Sequence, residues 1–371
     1  MEGWKGRSFS RFTFHVSRFT LHVSHLTHHV LHASPINAMN IHHKITELRL
    51  VHPFKIARRT VDQTRQVISV EIDGGLGETS PSRFYGETVE TVQVAFNIFD
   101  SILDGNLDAI KVVMDRLESS LRGHYGAKSA IDMALHDRLG KALGVPLYRL
   151  WGLDPNTTPL TSFTIGLDEP EFMQQKAREA KDYPILKVKL GTPRDLDIIR
   201  AIRDVTDKPL YVDANTAWSP KEAVRKISDL VHYDIVLVEQ PTKPDDLDGL
   251  KFVREHSALP IIADESVKRA ADIPALVGCV DGINIKLVKC GGLLEAMRMI
   301  HVARAYGLQV MIGCMIESSL GITAAAHLTP LVDYADLDGH LLIANDPYAG
   351  VTLEAGKLIL PNRPGICVIS R

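Results

Sequence analysis

Residues 185–191 read ILKVKLG, a short apolar run that carries two lysines, Lys187 and Lys189, two positions apart. A strand repeats its side-chain direction every second residue, so both ammonium groups point to one face. If that face is buried, two like charges share a space of low dielectric. Such an arrangement is costly unless acidic groups compensate. The fold must therefore bring carboxylates to the same place.

Similar short strands recur along the chain: SFTIG at 162–166, LYVDAN at 210–215, IVLVEQP at 235–241, PIIADES at 260–266, GINIKL at 282–287, QVMIGCM at 309–315 and YADLDG at 334–339. With ILKVKLG they make eight, most of them separated by amphipathic helical stretches. Continuous apolar strands joined by helical crossovers form a parallel sheet buried on both faces. A doubly wound open sheet would satisfy that pattern, but the first strand is not followed by a phosphate-binding glycine loop. The count favours a closed (β/α) barrel, in which functional side chains sit at the C-terminal strand ends. Charged residues stand there in order: Lys187 and Lys189, Asp213, Glu239, Asp264, Lys286, Glu317, then Asp336 and Asp338. From Lys189 to Lys286 they are spaced 22 to 26 residues apart, one βα unit each.

Asp213, Glu239 and Asp264 come from consecutive strands and have no histidine or cysteine among them. Such a set suits a hard cation with oxygen ligands, most simply Mg2+. Lys189 precedes the triad and Lys286 follows it, so the two approach from opposite sides. A dication and neighbouring lysines would lower a lysine pKa toward about 7–8, where it serves as a base. One lysine would remove a proton α to a carboxylate, Mg2+ would stabilise the enediolate, and the other lysine would return a proton to the opposite face. Lys187 would support the developing oxyanion. Salt bridges, helix caps and snorkelling lysines are the plainer reading of each residue taken singly.

Upstream of the barrel, HHKITELRLV at 42–51 and RQVISVEID at 65–73 read as strands, joined by HPFKIARRT and ended by GGLGE with turn chemistry. Residues 87–121 look helical. A further helix over AKSAIDMALHDRLGKALG stops at Gly144 and Pro146. This is a compact α+β unit, expected over 39–155, with the barrel over 156–340. In the first 38 residues, RFTFHVS, RFTLHVS and HLTHHVL repeat with a seven-residue period. A histidine metal tract and a targeting segment both fit poorly. An upstream repeat translated ahead of Met39, disordered and outside the fold, is the expected reading.

Composition is that of an ordinary globular protein: 371 residues, 45% hydrophobic, 23% charged, net charge −3. It gives no footprint for nucleic acid or for a membrane. The four cysteines, Cys279, Cys290, Cys314 and Cys367, lack metal-finger or disulfide-framework spacing, which fits a reducing cytoplasm.

KVKLG, VDANTAW, LVEQP, ADES, INIKLVKCGG and MIESSLGITAAAH together resemble the muconate-lactonizing-enzyme subgroup of the enolase superfamily, over nearly all the chain after Met39. The resemblance implies a (β/α)7β TIM-like barrel with an N-terminal α+β capping domain completed by about 341–371. It implies one Mg2+ per subunit on Asp213, Glu239 and Asp264, with Asn215 and Glu265 behind these ligands. It gives catalytic roles to Lys189, Lys286 and Lys187 and places Glu317 against the substrate. Within the subgroup, ADLDGH resembles the D-x-D motif with which dipeptide epimerases hold a substrate ammonium, here Asp336 and Asp338. An acidic turn paired with a nearby lysine is the competing reading. FKIARRT resembles the mobile loop of L-Ala-D/L-Glu epimerases, placing Arg59 at the substrate's acidic side chain. Thr216-Ala217 and His340 depart from the usual Gln-Gly and Pro.

The expected activity is thus Mg2+-dependent epimerisation of a dipeptide such as L-Ala-D/L-Glu by a homo-oligomeric isomerase, in peptidoglycan-peptide turnover. Rival chemistries on the same site are o-succinylbenzoate synthase, N-succinylamino-acid racemase and muconate cycloisomerase, whose substrates lack the free ammonium. A non-catalytic barrel and a Schiff-base aldolase are more distant alternatives.

Overall fold

The computed structural model describes residues 41–57, 62–103 and 105–371. The expectations for residues 1–38 and for Arg59 fall outside them.

Three antiparallel strands open the described chain: β1 (His42–Phe54), β2 (Asp62–Ile72) and β3 (Gly75–Thr79). The sequence reading of 74–78 as turn is corrected here. Only Asp73 and Gly74 turn, both at positive φ (48° and 77°), which matches the twist of a tight hairpin. Gly75 and Gly77 belong to β3 and are glycines for another reason. A Cβ on Gly77 would run into the carbonyl of Ala130, and one on Gly75 into that of Ala134. The strand thus lies backbone-to-backbone on the long helix α3 (Tyr125–Leu143). The predicted helical stretch 87–121 is two helices, α1 (Val89–Asp100) and α2 (Ile110–Ser120). Between them Asn106 accepts a hydrogen bond from the Asp108 N–H, a local turn that competes with helix. Ile68, Val70 and Ile72 of β2 pack with Phe96 and Phe99 of α1, Leu117 of α2 and Ile131 of α3 as one apolar core. The helix α3 ends at Gly144 (φ 71°), as its sequence predicts.

All eight predicted barrel strands are present: β4 (Phe163–Ile165), β5 (Leu186–Lys189), β6 (Leu210–Asp213), β7 (Ile235–Glu239), β8 (Ile261–Ala263), β9 (Gly282–Ile285), β10 (Gln309–Gly313) and β11 (Tyr334–Asp336). They pair in parallel in chain order, β4 to β11. The ring closes through one bridge, Thr161 to Ala335, with the Ser162 N–H on the Ala335 carbonyl at 3.1 Å. Inside, Tyr211, Leu237, Ile262 and Met311 form an apolar layer. Two residues further along β6, β7 and β8 stand Asp213, Glu239 and Asp264, so the period of two lifts the charges one layer above this plug.

The C-terminal segment returns to the first unit. Asn345 bonds both the Arg49 N–H and the Glu47 carbonyl, and the Asp137 carboxylate accepts the Ile366 N–H. Leu48, Val67 and Ile343 form a small shared cluster with Ile316. Among the described residues no helix is long and apolar enough to cross a membrane.

Because β3 has no room for a side chain against α3, Gly77→Ala is expected to destabilise the protein by about 1–3 kcal/mol. A thermal scan should show a melting temperature lower by a few degrees, whereas Gly74→Ala, with open space around it, should act only through its backbone conformation.

Candidate active site

Lys187 lies at the centre of the barrel mouth, 1% exposed. Its Nζ is 2.6 Å from Glu239, 2.7 Å from Asp336 and 3.3 Å from Asp213. Lys189 shares its face of β5 and reaches Asp213 at 2.6 Å. The two like charges of ILKVKLG are compensated by carboxylates from β6, β7 and β11. Burial alone would lower the Lys187 pKa. Asp336, Glu239 and Asp213 outweigh it and hold the ammonium well above its ordinary range. Burial likewise pushes Asp213 up, and Lys189 and Lys187 reverse it, keeping Asp213 ionised.

Across the mouth, Lys286 at the end of β9 contacts Asp264 at 2.7 Å. Asp264 and Glu239 overcome burial and hold Lys286 above its ordinary value. The lowering expected from sequence counted a dication among its neighbours; the carboxylates acting alone work the other way. Asp264 also takes a second lysine. Lys289, on the one-turn helix Leu287–Cys290, donates to Asp264 Oδ1 and to the carbonyls of Asp264 and Asn284 at 2.6, 2.6 and 2.8 Å. Sequence reading passed over Lys289 although it stands three residues after Lys286 in an otherwise apolar stretch. Asn284 was passed over too; its amide donates to Glu239 Oε1 at 2.8 Å. Burial, then the charge of Asp213, raises Glu239 to about 7.

Asp336 and Asp338 are both buried but do different things. Asp336 is taken up by Lys187 and by the Ser162 hydroxyl at 2.7 Å, so the lysine-pairing alternative describes it well. Asp338 accepts the Thr164 N–H through Oδ2 at 2.6 Å, while its Oδ1 has the Cys314 Sγ at 4.0 Å. Burial and the adjacent Asp336 raise Asp338 to about 6. Glu317 is buried beside the mouth and pushed up to about 7 by that burial. Its Oε1 accepts the Met315 N–H, and its neighbour Ser318 is bonded by Glu78 of β3. Asn215 donates its N–H to Asp213 Oδ1 and its amide to Glu265 at 3.4 Å, and it lines the cavity itself rather than standing behind it. Thr216 holds a left-handed backbone (φ 70°), a strained state for a β-branched residue.

One cavity joins most of these groups, but Glu317, expected against the substrate, is not among the residues that line it. Lys187, Lys189, Asp264, Lys286, Asp336 and Asp338 form its floor, and Phe54, Ile56, Arg65, Phe84 and Tyr85 from the first unit form its roof. The predicted residues Glu239 and Asp213 lie just beneath it, each against a lysine. Among the described residues no three histidine, cysteine or acidic side chains meet as a ready-made metal cage.

Family models agree with this architecture. Residues 40–152 match the mandelate racemase / muconate lactonizing enzyme N-terminal domain, and residues 172–369 match the enolase C-terminal domain-like family. An L-Ala-D/L-Glu epimerase from Bacteroides thetaiotaomicron is 42% identical over 87% of this chain and 86% of its own length. A hydrophobic dipeptide epimerase from Enterococcus faecalis is 39% identical over 86% of this chain and 95% of its own. The crystal structure of a dipeptide epimerase from E. faecalis with Mg and L-Leu-L-Tyr superposes with a TM-score of 0.84 at 37% identity, covering 90% of this chain and 99% of that one. The chain belongs to the mandelate racemase / muconate lactonizing enzyme family of the enolase superfamily, on its dipeptide epimerase branch.

Lys289 is fully buried and its ammonium bonds three acceptors, so Lys289→Met removes a charged donor from Asp264, which keeps Lys286, and from two backbone carbonyls. The expected cost is about 1.5–3 kcal/mol, read as a shift of the urea unfolding midpoint. Lys111→Met, which breaks an exposed pair with Asp115, should cost less than about 1 kcal/mol.

Proposed function

We propose that the protein epimerises dipeptides at the α-carbon of the second residue by 1,1-proton transfer between Lys189 and Lys286. The observation that carries this reading is their placement: two lysines at the ends of β5 and β9, either side of the carboxylates of β6, β7 and β8, with Asp338 facing the same cavity. Lys189 takes the α-proton on one face and Lys286 delivers one to the other. Lys187, enclosed by three carboxylates, supplies positive charge toward the developing oxyanion.

Asp213, Glu239 and Asp264 would hold one Mg2+ per subunit. Their fit rests on an all-oxygen donor set and on charge, since the carboxylates at the mouth outnumber its lysines and burial leaves Glu239 raised to about 7. When bound, Mg2+ supplies the Lewis-acid charge that acidifies a proton α to a carboxylate. Lys189 rests on Asp213 and Lys286 on Asp264, so the same carboxylates also position the two lysines.

Asp338 receives the ammonium of the first residue, with Asp336 steadied behind it by Lys187. This separates the reading from o-succinylbenzoate synthase, N-succinylamino-acid racemase and muconate cycloisomerase, whose substrates present no cation there. L-Ala-D/L-Glu is the leading substrate, acting in peptidoglycan-peptide turnover in a bacterial cytoplasm. A second reading, an apolar second residue, draws support from the roof of Phe54, Ile56, Phe84 and Tyr85. The enzyme is a homo-oligomer in which 39–155 with 341–371 caps a catalytic barrel of 156–340.

The test is 1H NMR in D2O with Mg2+ and L-Ala-L-Xaa dipeptides. The α-proton signal of the second residue should vanish, and Lys189→Ala and Lys286→Ala should each slow its loss by about 10^2–10^4-fold; a chelator should stop it. No exchange with acidic, apolar or cationic dipeptides would sink the reading.

The ammonium needs Asp338 as a carboxylate, so its binding is complete above the Asp338 pKa and fades as pH falls through about 6. A kcat/KM profile should show that limb, and Asp338→Asn should lower kcat/KM and remove it.

A further inference from the structure

The carboxylates at the ends of β6, β7 and β8 each turn one oxygen to a lysine of the mouth and have the other held from elsewhere. Asp213 meets Lys189 through Oδ2 at 2.6 Å, and its Oδ1 accepts the Asn215 backbone N–H at 2.9 Å. Glu239 meets Lys187 through Oε2 at 2.6 Å, and its Oε1 accepts the Asn284 amide at 2.8 Å. Asp264 meets Lys286 through Oδ2 at 2.7 Å, and its Oδ1 accepts the Lys289 ammonium at 2.6 Å. The holding groups are a backbone N–H, an amide and an ammonium, yet they divide every carboxylate in the same way.

These holding groups are themselves fixed. Lys289 is buried, and its other hydrogen bonds go to the carbonyls of Asp264 and Asn284. Asn284 is buried too, and its Oδ1 has no hydrogen-bond partner among the described residues. The amide is thus placed for Glu239 rather than for its own satisfaction. Gly313 on β10 makes the room, since a Cβ there would stand 2.7 Å from Asn284 Oδ1. On the cavity side, Glu239 Oε2 is buried without a hydrogen bond, for Lys187 lies close to it but not at a bonding angle. That oxygen is left for a further partner.

A carboxylate with one oxygen held by a donor offers a cation only the other. Mg2+ requires a compact octahedron, whereas the larger Ca2+ takes more oxygens and accepts carboxylates through both of theirs. We propose that Asn284 and Lys289 are positioning residues which, with the Asn215 N–H, confine Glu239, Asp264 and Asp213 to binding through one oxygen each, and so select Mg2+ against Ca2+. The proposal rests on the reading of these carboxylates as Mg2+ ligands and adds to it the source of their selectivity. To take both oxygens of Asp264, a cation must break a buried charge-assisted bond, a penalty that falls on Ca2+ and spares Mg2+.

The experiment uses protein freed of divalent ions by a chelator and titrated with Mn2+, whose free-ion EPR signal reports binding. The bound ion is then displaced with Mg2+ or with Ca2+. Wild type is compared with Lys289→Met and Asn284→Leu, each checked for its fold by circular dichroism. Lys289→Met also removes a positive charge, but charge acts on both dications alike, so the ratio of their affinities reads the clamp. Expected is a Ca2+-to-Mg2+ affinity ratio roughly tenfold or more above wild type in each variant, and unchanged in Lys111→Met. Gly313→Ala keeps both residues and pushes the Asn284 amide aside. It should raise the ratio in the same way, and it carries the test should a buried variant fail to fold. A ratio unmoved in a folded variant, or a loss of both ions together, marks that residue as packing only and overturns its role. Either result leaves the Mg2+ site and the epimerase standing. Wild-type protein that binds neither Mn2+ nor Mg2+ removes the Mg2+ reading of the three carboxylates, and the clamp with it.

Discussion

A single buried ammonium organises the barrel mouth. Lys187 is almost wholly removed from water and is kept charged by Asp213, Glu239 and Asp336, three carboxylates on three other strands. Removing any one member would leave charge stranded at low dielectric, which costs more than the pair contributes. The strand ends are thereby locked in relative position before any substrate arrives. Lys189, Lys286 and Lys289 extend the same logic around the ring, so that the lysines and carboxylates of the mouth sit in a preorganised frame.

Much of this was legible in the chain. The barrel strands are short apolar runs at even spacing, and most end on a charged residue that an apolar core does not call for; that combination specifies both the fold and the mouth. The lysines of ILKVKLG even demanded partners before any were known. Other parts were hidden for physical reasons. Ser162, Thr164 and Asn284 act through a hydroxyl, a backbone N–H and an amide, none of which stands out in composition. Lys289 reads as an ordinary helical lysine until its stem is seen buried. The glycines of β3 look like turn residues because sequence does not reveal which backbone will press against them.

The division of labour between Asp336 and Asp338 lay beyond sequence altogether. Two aspartates two positions apart predict one shared face, and they do share it. Which of them faces a lysine depends on how β11 is placed relative to β5, with β4 between them, a tertiary relation carried by Lys187. The motif is thus half structural and half available for a ligand.

The barrel also has a seam. Between β4 and β11 the backbone contributes one bridge, and the remaining fastening is by side chains: Ser162 to Asp336, Asp338 to the Thr164 N–H, and Thr161 to the Leu337 N–H. The two aspartates therefore staple the ring at the point where they line the cavity. Changing either one alters the cavity and the closure of the barrel together. At the seam, a change of ligand is also a change of masonry.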